Sequence, residues 1–393
     1  MATSHNGGAY LIKLILRNTF RHPLRSFLTI LGVAVAMLAF GILTTLVRAW
    51  YVGVESSSAN RLVTRNKISL VYMLPLAYRP KILQVQGVDM VGYGIWYGGI
   101  YKDKKNFFPQ LGISGTDYLA MFRELVLGEA EKKIFDSQKN SAIAGRKLAQ
   151  RFGWKKGDLI TIQGTIFPGK LELILTGIYN GRRKNVDEST FFFRYDYVNE
   201  QLKKTMPELA DKVGWFLVHV RDGDRAAEIS QEIDTLFRNS LAETLTETEK
   251  AFQQGFVAMT EAIVSAIKVI SAVVIGIILI IVGNTMAMTA RERGAEYAVL
   301  KTLGFRPLFL FLIIAGESTC LALTGGIAGA VMTIPVAALF QSQLQSFLPV
   351  FEVDKSTILL IIILSFGVGA AAAAAPAWQV RRTAIAEGLR YVG

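Results

Sequence analysis

The sequence has few of the residues from which disulfide frameworks and metal sites are built. It contains one cysteine in 393 residues, which excludes an intramolecular disulfide and a zinc site made of cysteines. Its three histidines, His5, His22 and His219, are too far apart in the chain to suggest a shared metal site. The chain therefore does not resemble a small disulfide-stabilised domain or a zinc-dependent enzyme.

Common catalytic and phosphate-binding motifs are also missing. No GxxxxGK[ST] sequence occurs, so the chain lacks the loop whose backbone amides would surround the phosphates of ATP. Neither HExxH nor GxSxG is present. We therefore expect that the chain is not an enzyme and binds no cofactor itself, the alternative being a site assembled from distant residues.

Charged residues are scarce, and the apolar excess is concentrated in four stretches. Charged residues make up 19% of the chain and hydrophobic residues 51%, against about 25% charged in soluble domains. The stretches are Ser26–Val47, Val269–Ala290, Leu308–Met332 and Ser356–Val380, and the one charge within them is Glu317. Because about 20 apolar residues cross a bilayer as a helix, the sequence predicts four transmembrane helices.

The basic residues indicate how these helices are oriented. Residues 1–25 and the loop 291–306 each carry four basic residues, and the tail 381–393 carries three. The connection 333–355 carries one. The positive-inside rule then predicts cytoplasmic termini, with the large segment 51–260 on the outside. We expect a multi-pass membrane protein with its N and C termini in the cytoplasm.

The large outer segment has the pattern of a mixed α/β domain. Apolar spacing predicts a helix at Ser141–Phe152 and strands at Gly157–Phe167, Lys170–Tyr179 and Trp215–Arg221. Asp222 is positioned to cap a helix after the last of these strands. A strand followed by an amphipathic helix is typical of half a ferredoxin-like unit, a fold that by itself indicates no function.

The approach to the second span resembles a stalk. Apolar residues follow one another at near-heptad steps of 4, 7, 4 and 3, namely Leu241, Leu245, Phe252, Phe256 and Met259. This spacing predicts one helix over 241–290 that continues into the membrane. The alternative is a surface helix that packs on its own domain.

The loop after the second span is unusually rich in charge for a connector. The sequence predicts that the span ends near Gly294 and that a short helix, Glu296–Leu303, is stopped by Gly304 and Pro307. Such a helix would suit the docking of another protein, and the alternative is a solvated connector. The residues that we assign to this coupling role are Arg291, Glu292, Arg293, Glu296, Leu300, Lys301 and Gly304.

These interpretations give an α-helical membrane protein with four transmembrane helices and a mixed α/β extracytoplasmic domain between the first and second helices. The predicted segments are a cytoplasmic basic amphipathic helix (1–25), transmembrane helix 1 (26–50), the extracytoplasmic domain (51–240), the stalk with transmembrane helix 2 (241–290), the cytoplasmic coupling helix (291–307), transmembrane helix 3 (308–332), a short outer connection (333–355), transmembrane helix 4 (356–380) and a cytoplasmic tail (381–393).

Four stretches carry a resemblance to a known family. Residues 17–36, 141–164, 284–307 and 376–390 resemble the permease subunits of the MacB/FtsX/LolC-like ABC transporters, the type VII or mechanotransmission family. The third stretch is the most specific of the four. Its positions Arg293, Glu296, Lys301 and Gly304 match the family motif, whereas Tyr297-Ala298 stands where a small hydrophobic residue and a glycine are more common.

The resemblance implies a location in the bacterial cytoplasmic (inner) membrane, several partners and a general mechanism. It implies a cytoplasmic ABC ATPase dimer docked around 291–304, which supplies ATP and Mg, and a second permease subunit. A periplasmic adaptor or carrier protein and membrane lipid are further partners that it implies, and we expect no nucleic acid. The implied function is to transmit ATPase-driven change to the outer domain, to export or extract a lipid, lipoprotein, peptide or amphipathic compound. The alternative is an FtsX-like signalling subunit that moves no substrate.

Overall fold

The computed structural model describes residues 7–183, 186–344 and 350–382, so most of the predicted tail 381–393 lies outside the described residues. The chain divides into two compact units. A helical unit comprises Met1–Arg48, Glu261–Ser342 and Phe351–Gly393, and an α/β unit comprises Ala49–Thr260 and Gln343–Val350.

The described part of the chain contains both long and short helices. In chain order they are α1 (Gly7–Thr19), α2 (Pro23–Ser56), α3 (Arg79–Leu83), α4 (Thr116–Ala120), α5 (Glu129–Ser137), α6 (Arg146–Phe152), α7 (Tyr195–Thr205), α8 (Ala226–Leu236), α9 (Glu249–Met259), α10 (Glu261–Glu292), α11 (Gly294–Thr302), α12 (Pro307–Leu344), α13 (Lys355–Ala372) and α14 (Ala374–Arg382).

The strands all belong to the α/β unit. They are β1 (Arg61–Asn66), β2 (Leu74–Pro75), β3 (Val88–Trp96), β4 (Gln110–Ile113), β5 (Leu125–Val126), β6 (Ser141–Gly145), β7 (Leu159–Gln163), β8 (Lys170–Gly181), β9 (Phe191–Arg194), β10 (Lys212–Val213), β11 (Trp215–Val220) and β12 (Thr244–Thr248).

Four helical segments of the described chain are long and apolar enough to cross a membrane. They are Pro23–Tyr51, Glu261–Glu292, Pro307–Gln341 and Lys355–Val380, and they contain the four predicted stretches. Apolar residues also cover the outside of the helical unit, as at Leu24 in α2. An apolar exterior of this kind is stable in lipid and not in water.

Small residues allow the membrane helices to approach closely. A Cβ atom added at Gly325 would lie 2.7 Å from Val33 of α2, and one at Gly326 would lie 1.9 Å from the Ser365 hydroxyl of α13. A Cβ at Gly329 would lie 2.7 Å from a backbone oxygen of α2. Glycines at such contacts bring helix backbones together, which favours association in membranes.

Several predicted boundaries of the helical unit differ from the structure. The predicted helix 1–25 ends earlier, at Thr19, as α1, and transmembrane helix 1, predicted at 26–50, extends over Pro23–Ser56 as α2. Helix α12 continues to Leu344, so the predicted connection 333–355 is helical over its first half. Its residues are apolar or uncharged polar up to that point, and Pro335 does not end the helix. The fourth span is divided into α13 and α14 at Ala373.

The α/β unit is built on a ten-stranded mixed sheet. The strand order is β12-β1-β11-β3-β4-β9-β6-β8-β5, with β7 paired to β8, and β2 and β10 form a separate pair. In the run β12-β1-β11-β3, each strand is antiparallel to its neighbour. Together with α3 and α8 they form a complete ferredoxin-like unit, of which the sequence indicated one half, and β4 to β10 lie in an insertion between β3 and β11.

Both faces of the sheet are buried. In β9, Phe191 and Phe193 belong to the larger apolar core and Phe192 to a smaller core on the other face. In β11, Phe216 and Leu217 are divided between the same two cores. This alternation follows from the two-residue period of a strand, and it explains why the segment FFF has no polar position.

Several local predictions of the α/β unit are confirmed, and one is wrong. The strands joined by Pro168-Gly169 appear as β7 and β8, paired antiparallel. The segment Ser141–Phe152 is not a single helix, because its first five residues form β6. Ala142, Ile143 and Ala144 are fully buried inside the sheet, and this tertiary burial overrides their local helical spacing.

The predicted continuous stalk helix over 241–290 is wrong in its first part, and it is also interrupted at Thr260, which separates α9 from α10 and has φ −109° and ψ 12°. Leu241 is exposed and precedes β12, and Leu245 lies within that strand, paired with Arg65 of β1. The segment Thr244–Thr248 alternates threonine with other residues, a two-residue period that outweighs the heptad spacing of the leucines. Helix begins at α9, where the Thr248 hydroxyl accepts a hydrogen bond from the amide of Ala251.

Candidate functional site

Helix α11 lies between the second and third candidate spans and has well-defined ends. Arg293, with φ −99° and ψ 13°, interrupts the helical backbone after α10. At the other end, the Gly304 amide donates to the Lys301 carbonyl and the Phe305 amide to the Leu300 carbonyl. These two bonds form a Schellman motif, which requires the left-handed φ of +85° that glycine adopts at 304.

A buried ion pair connects this loop to the third span. Glu317 of α12 is 2% exposed, and its carboxylate accepts a hydrogen bond of 2.7 Å from the Arg293 guanidinium. The same guanidinium donates to Glu296 at 2.9 Å and lies over the Tyr297 ring, 5.2 Å from its centroid. Glu317 thus has the structural partner that its position inside an apolar helix requires.

Two arginines at the start of the chain extend this network. Arg21, between α1 and α2, donates to Glu296, and Arg25, at the start of α2, binds Glu292 through two bonds of 2.6 and 2.8 Å. Pro23 begins α2 and so sets the bend between the two helices. One set of charges therefore connects the α1–α2 bend, the end of α10, α11 and α12, and we call it the inner ion network.

The environment of Glu296 favours its ionised form. Burial would raise the pKa of this carboxyl, but hydrogen bonds from Arg21 and Arg293 together lower it. Glu296 is therefore negatively charged at neutral pH and stabilises two arginines at once. As the pH falls through this lowered pKa the carboxyl is protonated and the contribution is lost.

Contacts of α11 with the last described helix complete the arrangement. The Lys301 ammonium donates to the Val380 carbonyl of α14 at 2.7 Å. Leu300 packs against the apolar cluster shared by the spans, and Tyr297 and Ala298 are buried in the same region. Tyr297, the departure from the common motif, fills space between the loop and the spans.

The seven residues predicted for coupling therefore divide into two groups. Glu292, Arg293, Glu296 and Lys301 make internal contacts, and Leu300 packs inward. Arg291 and Gly304 are exposed.

The exposed apolar side of α11 and of the turn after it was missed at the sequence level. It consists of Val299, Leu303 and Phe305, and Leu303 is 70% exposed. The available signal was the apolar character of these residues in a loop outside the predicted bilayer. We call these three residues the apolar face of the α11 loop.

A second charged cluster holds together the two ends of the α/β unit. Arg61, at the start of β1, is 3% exposed and donates to Glu249, the first residue of α9, at 2.7 Å. It also binds Glu124 at 2.8 Å and the Met121 carbonyl at 2.9 Å. Burial would lower the pKa of Arg61, but the two carboxylates raise it. Sequence reasoning did not detect this cluster, because its members are separated by 63 and 188 positions.

The remaining predicted stalk residues lie in α9. Phe252 and Phe256 form an edge-to-face pair with centroids 5.1 Å apart, and Met259 is exposed. Helix α9 ends at Thr260, whose hydroxyl accepts a hydrogen bond of 2.6 Å from the Trp50 indole. The apolar spacing thus located helical residues over its second part, but as two helices, α9 and α10, and not as the single helix that was predicted.

Two family models match the chain. The model for the MacB-like periplasmic core domain matches residues 26–236, more than half of the chain. The model for the FtsX-like permease C-terminal region matches residues 268–385, which include the inner ion network after the second span.

One relative and two solved structures are similar over large parts of the chain. An uncharacterized ABC transporter permease of Methanocaldococcus jannaschii is 26% identical over 358 residues, which cover 84% of each chain. The extracellular domain of the noncanonic ABC-type transporter YknZ from Gram-positive bacteria is 14% identical, with a TM-score of 0.36, over 48% of this chain and 100% of that one. The periplasmic region of MacB from Actinobacillus actinomycetemcomitans is 10% identical, with a TM-score of 0.37, over 52% of this chain and 95% of that one.

Proposed function

Because the chain belongs to the family of MacB-like and FtsX-like ABC transporter permeases, we propose that it carries ATPase-driven conformational change from α11 to its α/β unit. It is a membrane protein with four spanning helices and an extracytoplasmic α/β domain between the first two. The family implies a separate ATPase subunit and a second permease subunit. The step proposed for this chain is that the ATPase binds α11.

The inner ion network carries this proposal. A partner that moves α11 also moves whatever is rigidly attached to it. Arg293 joins α11 to α12 through Glu317, and Arg25 joins the end of α10 to the start of α2 through Glu292. Since the buried Arg293–Glu317 pair is costly to break, a displacement of α11 shifts α12 with it. The Arg25–Glu292 pair is more exposed and adds a weaker connection between α10 and α2.

The apolar face of the α11 loop supplies a surface for the ATPase. Val299, Leu303 and Phe305 are exposed and lie outside the candidate spans. Exposed apolar residues that include an aromatic ring have the composition typical of the centre of a protein interface. The charged residues first assigned to docking act in this proposal by attaching α11 to the spans.

The path to the outer side runs through α10 and α9. Helix α10 begins directly after Thr260, and Thr260 follows α9. Glu249 at the start of α9 binds Arg61 of the sheet, so a movement of α9 is transferred to β1. We propose that the substrate is a lipid, lipoprotein, peptide or amphipathic compound handled on the outer side, and that ATP and Mg are bound by the partner ATPase alone.

The remaining assignments extend the same proposal. The charge distribution of the sequence supports cytoplasmic termini in the cytoplasmic membrane. A soluble adaptor or carrier would meet the α/β unit on the outer side.

Site-specific photocrosslinking tests the docking step. The photoreactive residue p-benzoylphenylalanine is placed at Leu303 of the full chain in native membranes. A matched control carries it at Val71 of the α/β unit, which is 84% exposed. We expect a light-dependent adduct with a protein that contains the ATP-binding motif at position 303 and none at position 71. An ATPase adduct at 71 alone, or at neither position, would contradict the proposal.

A further inference from the structure

The α/β unit contains a cleft with an apolar wall. It has a volume of about 320 Å³ and is lined by the end of α4, by the segment 122–127 that contains β5, by α5, by strands β6 and β8 and by Arg182 after β8. Its apolar lining includes Leu119, Phe122, Leu125, Leu127 and Ile143. Folded proteins contain few such voids, and this volume is at the lower end of the range for small-molecule pockets.

The charged residues that line the cleft are all basic. They are Arg123, Lys132 and Arg182. Lys132 is paired with Glu129 at 2.7 Å. Among the residues that the structure describes, Arg123 and Arg182 form no ion pair, and both are exposed. Two arginines without acidic partners are available to bind an anion through charge-assisted hydrogen bonds.

The interior of the cleft offers little to a polar ligand. Among the lining residues, the Tyr179 hydroxyl is the one polar side-chain group without a charge. This hydroxyl already donates a hydrogen bond of 3.0 Å to the Asp187 carbonyl of the protein. A ligand that fits both the apolar interior of the cleft and its two arginines has an apolar chain and a negatively charged group. The geometry points to a single-chain anionic lipid, and we propose that this cleft binds one.

The cleft also adjoins the cluster around Arg61. Phe122 lines the cleft, and the Arg61 guanidinium lies 4.5 Å from the centroid of its ring. The next residue but one, Glu124, is an ion partner of Arg61, which also binds Glu249 at the start of α9. A chain that displaces Phe122 therefore acts on α9. This coupling rests on the proposed function, whereas binding in the cleft does not.

Photoaffinity labelling of the full chain tests the binding. The probe is palmitic acid that carries a diazirine in its chain, added to protein in phosphatidylcholine nanodiscs. Pepsin digestion and mass spectrometry locate the adducts, since pepsin does not depend on the arginines to be changed. We expect adducts within 119–127 and in the facing segments of α5 and β8. Adducts confined to the membrane helices would overturn the proposal.

Two comparisons test the role of charge. The variant Arg123→Glu/Arg182→Glu should lose labelling of the cleft about tenfold, because charge reversal replaces attraction with repulsion. The control Lys104→Glu/Lys105→Glu makes the same change in net charge at exposed residues outside the cleft lining and should label normally. The corresponding diazirine fatty alcohol should label the cleft weakly. Equal labelling by alcohol and acid, or by both variants, would refute recognition of an anionic group.

The outcome can be separated from that of the docking experiment. Labelled cleft residues without an ATPase adduct at Leu303 would refute the proposed function and leave the lipid site in place. An ATPase adduct without labelling of the cleft would do the reverse. Circular dichroism of each variant confirms that the charge changes at these exposed positions leave the fold intact.

Discussion

Replacement of Arg293 by methionine should destabilise the helical unit strongly. The change leaves the Glu317 carboxylate 2% exposed and without its guanidinium partner. Removal of one member of a buried pair costs about 3–5 kcal/mol, because the other charge remains buried. The fraction of molecules in which the region around Glu317 is open should then rise by about 100-fold or more, since each 1.4 kcal/mol is a factor of ten.

The cost should depend on which partner is removed. In Glu317→Met, Arg293 still binds Glu296, so we expect a loss of about 1–3 kcal/mol for one buried donor without a partner. The double variant Arg293→Met/Glu317→Met has no buried charge and should lie within about 1 kcal/mol of Glu317→Met. The two changes should therefore be strongly non-additive.

The single cysteine provides the assay. Cys320 lies in α12, three positions after Glu317, and is partly buried. The rate at which a membrane-permeant maleimide traps its thiol in mixed micelles, measured against SDS concentration, reports how often this region opens. Arg48→Met serves as the control, because its pair with Asp354 is exposed and should contribute no more than about 1 kcal/mol. Equal trapping in Arg293→Met and Arg48→Met, or additive single effects, would refute the reasoning.

Three further predictions concern packing, the α/β unit and topology. Gly326→Val should lower the yield and thermal stability of the full chain, because its Cβ would lie 1.9 Å from the Ser365 hydroxyl, whereas Gly276→Val, with no atom within 4 Å, should not. Arg61→Met should cost the α/β unit about 3–5 kcal/mol by leaving Glu249 buried without its partner, a loss measured by thermal unfolding and contradicted by an unchanged midpoint. In a Cys320→Ser background, a cysteine in place of Val71 should react with an impermeant thiol reagent added from outside and one in place of Leu303 should not; the opposite pattern would reverse the assigned orientation.

The spans and the close glycine contacts could be predicted because they depend on composition and on short spacings. An uncharged stretch of the length of Ser26–Val47 has few alternatives to a membrane helix. In the sequence, Gly325, Gly326 and Gly329 give the third apolar stretch a surface of small residues, which permits close helix packing. The hairpin at Pro168-Gly169 follows from the conformational preferences of two residues, and Gly169 has a φ of +117°.

The direction in which charged residues point could not be predicted. Arg21 and Glu296 are 275 positions apart, and their pairing depends on how α1, α10 and α11 come together. A charged loop helix therefore looks the same in sequence whether its charges face a partner or its own spans. The prediction of a continuous stalk helix was wrong for a related reason. Leu245 fits a heptad spacing in the sequence, but it lies in β12, which is stabilised by its pairing with β1.

The most direct test of the central claim is a distance measurement across the assembled complex. Spin labels at position 71 report the separation of two α/β units in a dimer bound to its ATPase, with ATP and vanadate or with ADP. We expect the distance to differ between these states in the parent chain. A two-glycine insertion at Gly255 of α9, a position with no atom within 4 Å of an added Cβ, should preserve ATP hydrolysis and abolish the difference. An unchanged difference in the insertion variant would contradict transmission through α9 and α10.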